Sequence, residues 1–94
     1  MNQSMRVDYT VQIWKEGNQF VAHAMPLDVM SAGDTAEEAR KALDEAVRLF
    51  LTTAAEAGTL EEVLEETGYE RKEEGTWMSP DWVALERHTA TFGD

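Results

Sequence analysis

The stretch "SAGDTAEEARKALDEAV", Ser31 to Val47, decides the fold. It holds a turn, a helix start and an apolar stripe in one run, with no paired histidines. Gly33-Asp34 makes the turn. Thr35 is a good N-cap, and Glu38 stands three residues later, where its carboxylate can return a bond to the Thr35 amide. Glu37 and Glu38 sit in the first turn, at the positive end of the helix dipole. Ala39, Leu43, Ala46, Val47, Phe50 and Ala54 recur at helical spacing and form one stripe, and Gly58 supplies the stop. "TLEEVLEETG" repeats the signature over 59–68: Thr59 as N-cap, Glu62 as its partner, Gly68 as the stop, and Leu60, Val63 and Leu64 as the apolar edge.

Upstream, "YTVQIW" alternates with the period of a half-buried strand, Tyr9, Val11 and Ile13 against Thr10, Gln12 and Trp14. "KEGNQ" is a turn and "FVAHAM" the returning strand. A two-residue loop at Gly17-Asn18 sets Ile13 opposite Ala22 and Val11 opposite Ala24, with Phe20 on the same face. Trp14, Val21 and His23 then share the other face. Pro26 ends the second strand because it has no N–H to donate. A third, brief strand is expected over Val29–Ala32.

Downstream, "YERKEEGTW" reads as an extended segment broken at "KEEG". "DWVALERHTATF" alternates Val83, Leu85 and Arg87 against Trp82, Ala84 and Glu86, which predicts a last strand; "WVALERH" fits a short helix less well. The expectation is one α+β domain over residues 1–94. Its order is β-β-β-α-α-β, a small antiparallel sheet with the main amphipathic helix on one face and a strand-rich extension over 69–94.

Composition narrows the function classes. The chain has 94 residues, 43% of them hydrophobic, and no cysteine, so neither a disulfide framework nor a thiolate metal site is available. No run approaches the ~20 apolar residues of a membrane span. "MNQSMRVDYT" lacks the apolar core of a signal peptide, and a cytoplasmic location is expected. The net charge is −11, and residues 34–70 carry 11 acidic and 3 basic side chains. Such a surface repels phosphate backbones and attracts basic partners, so direct nucleic-acid binding is not expected.

This order, carried by these residues, resembles the HicB-like antitoxin family. The N-terminal domain of that family opens with a strand pair joined by a K-E-G type turn, here "YTVQIWKEGNQFVAHA". A short third strand follows, then a G-D-T-x-E-E-A approach to a helix, here Gly33, Asp34, Thr35, Glu37, Glu38 and Ala39, complete. The resemblance covers residues 9–57. Two departures stand out. The family's P-x-L-P-G turn becomes "MPLDVMSAGD", which keeps Pro26 and loses the second proline and its glycine. The helix-turn-helix or ribbon-helix-helix segment usual in full-length members has no counterpart in "YERKEEGTWMSPDWVALERHTATFGD". The resemblance implies a partly degenerate ribonuclease-H-like α+β fold with no catalysis and no cofactor. Its implied role is to bind and silence a small basic HicA-type toxin that cleaves messenger RNA. The rival expectation is an orphan member serving as an oligomeric adaptor or small-ligand module.

The candidate chemistry is sparse. Asp8, Asp28 and Asp34 sit beside strand ends, where a two-metal site would need them to converge, but turn and loop roles account for Asp34 and Asp28. His23 lacks a nucleophile with an orienting carboxylate, and Ser4, Ser31 and Ser79 lack elbow glycines. No catalytic, cofactor or metal residue is therefore expected. Glu61, Glu62, Glu65 and Glu66 line one side of the short helix, as a solvated face or as a docking surface for a partner's lysines and arginines. Trp77, Met78 and Trp82 form an aromatic cluster that suits a core and an interface equally. A homodimer or homotetramer is expected, with edge strands or the last segments pairing.

Overall fold

The hairpin forms where alternation and turn chemistry agree. In the computed structural model, which describes residues 5–93, β2 (Thr10–Glu16) and β3 (Gln19–Met25) pair antiparallel around Gly17-Asn18. Ile13 faces Ala22 and Val11 faces Ala24, the register expected from the two-residue loop. β3 stops at Met25, before Pro26, and β4 (Val29–Gly33) returns beside it with Ala22 opposite Ser31. One face of this sheet carries Val11, Ile13, Phe20, Ala22 and Ala24, and it receives α1 (Ala36–Glu56). Ala22 and Ala24 are fully buried, and their small side chains let the helix sit close to the strands.

α1 begins as the sequence predicts, with one difference. Thr35 is the N-cap and its Oγ1 accepts from the Glu38 amide at 3.0 Å. Glu38 Oε1, however, accepts from the Asp34 amide at 3.2 Å, not from that of Thr35. The reach-back therefore clasps the turn one residue further out. Ala39, Leu43, Val47 and Ala54 are buried along the stripe. The helix closes with a Schellman pattern: the Gly58 amide donates to Ala55 at 3.1 Å and the Thr59 amide to Ala54 at 2.9 Å. Gly58 has φ +77°, a conformation that costs a side chain with a Cβ about 1–2 kcal/mol.

α2 (Leu60–Glu66) follows at once and revises a second expectation. Thr59 makes no side-chain cap; its hydroxyl donates back to the Ala54 carbonyl at 3.3 Å. The residue is already committed to closing α1, so the Thr59–Glu62 capping box does not form. α2 ends in the same Schellman pattern, with the Gly68 amide on Glu65 at 3.1 Å and the Tyr69 amide on Leu64 at 3.0 Å. Leu64 and Tyr69 are both buried, the apolar contact that accompanies such an end.

The fold is α+β, as expected, but the described residues form two three-stranded sheets rather than one. The second sheet has the order β1-β6-β5, built from β5 (Glu70–Glu73), β6 (Thr76–Met78) and β1 (Arg6–Val7). β6 lies antiparallel to β5 and parallel to β1, which places Trp77 between Val7 and Arg71 on the central strand. The predicted strand over Trp82–Arg87 is absent: residues 79–93 have no regular secondary structure. Alternation there is present, but no ladder partner is. Leu27, Leu43, Val47, Leu64, Tyr69 and Trp77 belong to one continuous core that spans both sheets.

Two tyrosines tie these parts together. Tyr9 donates to Asp44 Oδ1 at 2.6 Å, and Tyr69 donates to the Asp8 carbonyl at 2.6 Å. Burial, then the Asp44 hydrogen bond and charge, push the Tyr9 phenol up to about 12. Burial, then the charge of Asp8, pushes Tyr69 up as well. The folded state thus favours the neutral phenols, while tyrosine in the unfolded chain ionises near ~10. Their contribution is intact below about pH 10 and is lost as pH rises through the folded values. The denaturant midpoint is expected to fall between about pH 10 and about pH 12, and less steeply in Tyr9→Phe. A midpoint that holds level across that range counts against this linkage.

Candidate functional site

The glutamates of α2 are displayed by helical geometry. Leu60, Val63 and Leu64 turn toward the core, and Leu64 is fully buried, so the period of the helix carries Glu61, Glu62, Glu65 and Glu66 outward. All four are exposed. Arg71 on β5 reaches Glu61 Oε2 at 2.9 Å, and its guanidinium lies 5.1 Å from the centroid of the Trp77 ring. That one arginine links α2, the hairpin and the core. Lys72 pairs with Glu70 at 2.9 Å and holds that carboxyl below its usual range. Among the described residues, Glu62, Glu65 and Glu66 form no ion pair, nor do Glu73 and Glu74 of the neighbouring hairpin. The result is a ridge of negative charge with few internal counter-ions, suited to holding lysines and arginines.

The sheet face turned away from α1 carries a second polar group. Gln12 and His23 are cross-strand partners, and Gln12 Nε2 lies 3.0 Å from His23 Nδ1. An amide nitrogen only donates, so Nδ1 accepts and the proton of the neutral ring sits on Nε2. Nε2 is 2.6 Å from Asp28 Oδ1, in the turn between β3 and β4. Trp14 meets the imidazole edge-on, with centroids 6.3 Å apart. Both ring nitrogens are therefore engaged, and the arrangement pins the 26–28 turn to the strand. The sequence hinted at His23 and Trp14 as neighbours; Gln12 and Asp28 completed the set only through the fold.

The expected site residues fall in different places. Trp77, open between core and interface, lies in the core at 2% exposure and is the largest fully buried side chain. Its Nε1 has no hydrogen-bond partner among the described residues. Met78, next along β6, is exposed, and Trp82 is 51% exposed on the segment beyond. Gly33, Asp34, Thr35, Glu38 and Ala39 come together at the start of α1 and act there as architecture. Asp8, Asp28 and Asp34 do not converge: Asp8 accepts from the Ser79 amide at 2.7 Å, Asp28 faces His23, and Asp34 serves the Glu38 clasp. Among the described residues no three His, Asp or Glu side chains are grouped to hold a metal. Sequence reasoning passed over Arg71, whose role depends on a contact ten residues away; only its place opposite Trp77 in the hairpin could have signalled it. No helix among the described residues is long and apolar enough to cross a membrane.

Comparisons with protein-family models, with curated proteins and with solved structures return no match for this chain.

Proposed function

We propose that the chain is a non-catalytic protein-binding module of the HicB-like antitoxin kind, which covers and silences a small basic toxin that cleaves messenger RNA. The observation that carries this reading is the ridge of exposed glutamates on α2, of which Glu62, Glu65 and Glu66 have no counter-ion among the described residues. A basic RNA-binding surface brought against it would be neutralised and occluded together. The hairpin and the complete Gly33–Ala39 motif support the same family resemblance. His23, with both nitrogens engaged, is better suited to holding a turn than to moving a substrate proton.

The test is co-expression and pull-down with the product of the short basic reading frame beside its gene. Binding of that protein is expected to weaken by ~10-fold or more when Glu62, Glu65 and Glu66 are all changed to lysine, and to fall with added salt. A complex indifferent to the reversal places the contact elsewhere. Absence of any complex, with no rescue of growth, favours the orphan adaptor instead.

A further inference from the structure

Beside the glutamates of α2 the molecule leaves apolar surface open to water. A trough runs along the last turns of α1, between that helix, the start of α2 and β1 with its preceding Met5. Two adjoining hollows form it, of about 280 and 490 Å³, and they share Met5, Ala55 and Leu60. Leu51 and Leu60 are only half-buried, Met5 is 43% exposed and Ala55 is exposed. Leu51 and Ala55 stand one helical turn apart on α1, and Leu60 opens α2 just past the Gly58 stop. A contiguous apolar surface of this kind, rimmed by charge, marks an interaction site. The two ends of the trough carry opposite signs. Arg48 borders one end, and Glu61 and Glu62 border the other. Among the described residues neither Arg48 nor Glu62 forms an ion pair. From Arg48 to Ala55 the helix rises about 10 Å, two turns of an α-helix.

We infer that this trough receives a basic amphipathic helix of the protein partner, which lays apolar side chains on Leu51, Ala55 and Leu60 while its lysines or arginines reach Glu62. This docking mode rests on the reading above, in which the glutamates of α2 hold a basic protein, and it adds what that protein has to present. Charge chooses the occupant. A cation at one end and carboxylates at the other match the dipole of a helix laid with its N-terminus toward Glu62, whereas the dipoles along a strand nearly cancel. Shape agrees, because anchors one turn apart on an incoming helix meet an apolar floor laid out at the same interval. A second copy fits poorly: the chain carries −11, and residues 34–70 hold 11 of its 19 acidic side chains, so its own helices would bring acid to Glu61 and Glu62. The trough also gives the ridge selectivity. Lysines alone can meet exposed glutamates in many orientations, and a seated apolar side chain fixes one of them.

The probe is a synthetic peptide of leucine and lysine with its leucines at helical spacing, titrated into the full chain beside a permuted peptide of the same composition whose leucines alternate. The helical peptide is expected to bind ~10-fold more tightly or better, with amide shifts gathered at Met5, Leu51, Ala55 and Leu60. Ala55→Glu decides between trough and ridge. It adds a negative charge, so a contact made through charge alone would hold or tighten. An apolar seat filled by a carboxylate is expected instead to lose ~10-fold or more. Ala55 is exposed, so circular dichroism should be unchanged. Met5→Gln, outside both helices, removes one apolar wall and is expected to weaken the helical peptide by ~3-fold. Equal affinity for the two peptides, an Ala55→Glu chain that binds as tightly as wild type, or shifts gathered away from the trough overturns the inference. So does a wild-type dimer that Ala55→Glu splits, since a second copy would then be the occupant. The co-expressed basic protein keeps the two readings apart: if Ala55→Glu retains it while reversal of Glu62, Glu65 and Glu66 releases it, the ridge stands and the trough does not.

Discussion

Trp77→Ala is expected to destabilise the protein by about 3–5 kcal/mol, the range for removing a large buried aromatic. Trp77 sits on the central strand of the second sheet, paired to Val7 on one side and Arg71 on the other, and is the largest side chain wholly removed from solvent. It shares one core with Leu43, Leu64 and Tyr69, so its loss opens a void in that core. Domains of this size are stable by roughly 5–15 kcal/mol in all, so the loss is a large fraction. Trp77→Phe removes the same indole N–H but keeps most of the packing. The indole N–H is buried without a partner among the described residues, and such a donor costs about 1–3 kcal/mol. Phenylalanine removes that penalty and keeps a ring beneath Arg71, so its net cost is expected to be about 1 kcal/mol. Urea denaturation followed by circular dichroism compares the two. A Trp77→Phe loss of several kcal/mol, well above that figure, would show that the indole nitrogen is satisfied after all.

Local features were legible in the sequence, and long-range ones were not. The β2–β3 register followed from one turn and one alternation, because neighbouring strands leave few other solutions. The glycine stops at 58 and 68 were readable for the same reason: a Schellman end uses only the last turn of its own helix. Thr59 was misread because two local rules compete for it, and closing α1 takes precedence over capping α2. β1 escaped notice altogether. Two residues, Arg6 and Val7, carry no periodicity, and their parallel partner lies some seventy positions along the chain. Without that pairing, the tryptophans could not be sorted: Trp77 and Trp82 have similar neighbours in sequence, and only β6 takes Trp77 inside. The glutamate ridge was visible as a pattern, since Leu64 can be buried only if its acidic neighbours are not. Arg71 was not visible, because the value of a lone basic residue depends on what it meets.

Gly33→Ala is expected to cost about 3 kcal/mol despite adding a single methyl group. A Cβ at this position would lie 2.7 Å from the Ala39 amide nitrogen and 2.9 Å from both the carbonyl carbon and the Cβ of Glu38. Two of these atoms are helix backbone, which cannot rotate aside as a long side chain can. The first turn of α1 must lift from the end of β4, and two further features move with it. Thr35 Oγ1 loses its alignment on the Glu38 amide, and the Glu38 carboxylate loses the Asp34 amide. Ala39, fully buried directly beneath, is drawn out of the core. The demand for glycine here comes from close approach, since Gly33 does not have the positive φ of Gly58. Gly58→Ala is the natural comparison: nothing lies within 4 Å of its added carbon, so only the backbone strain of φ +77° is felt, about 1–2 kcal/mol. Denaturation midpoints are expected to order as wild type, then Gly58→Ala, then Gly33→Ala. Amide shifts should spread over residues 33–43 in Gly33→Ala and stay near 55–60 in Gly58→Ala. Should Gly33→Ala fall within ~0.5 kcal/mol of wild type, the helix does not rest on the sheet as closely as described, and the packing of α1 against β4 has to be redrawn.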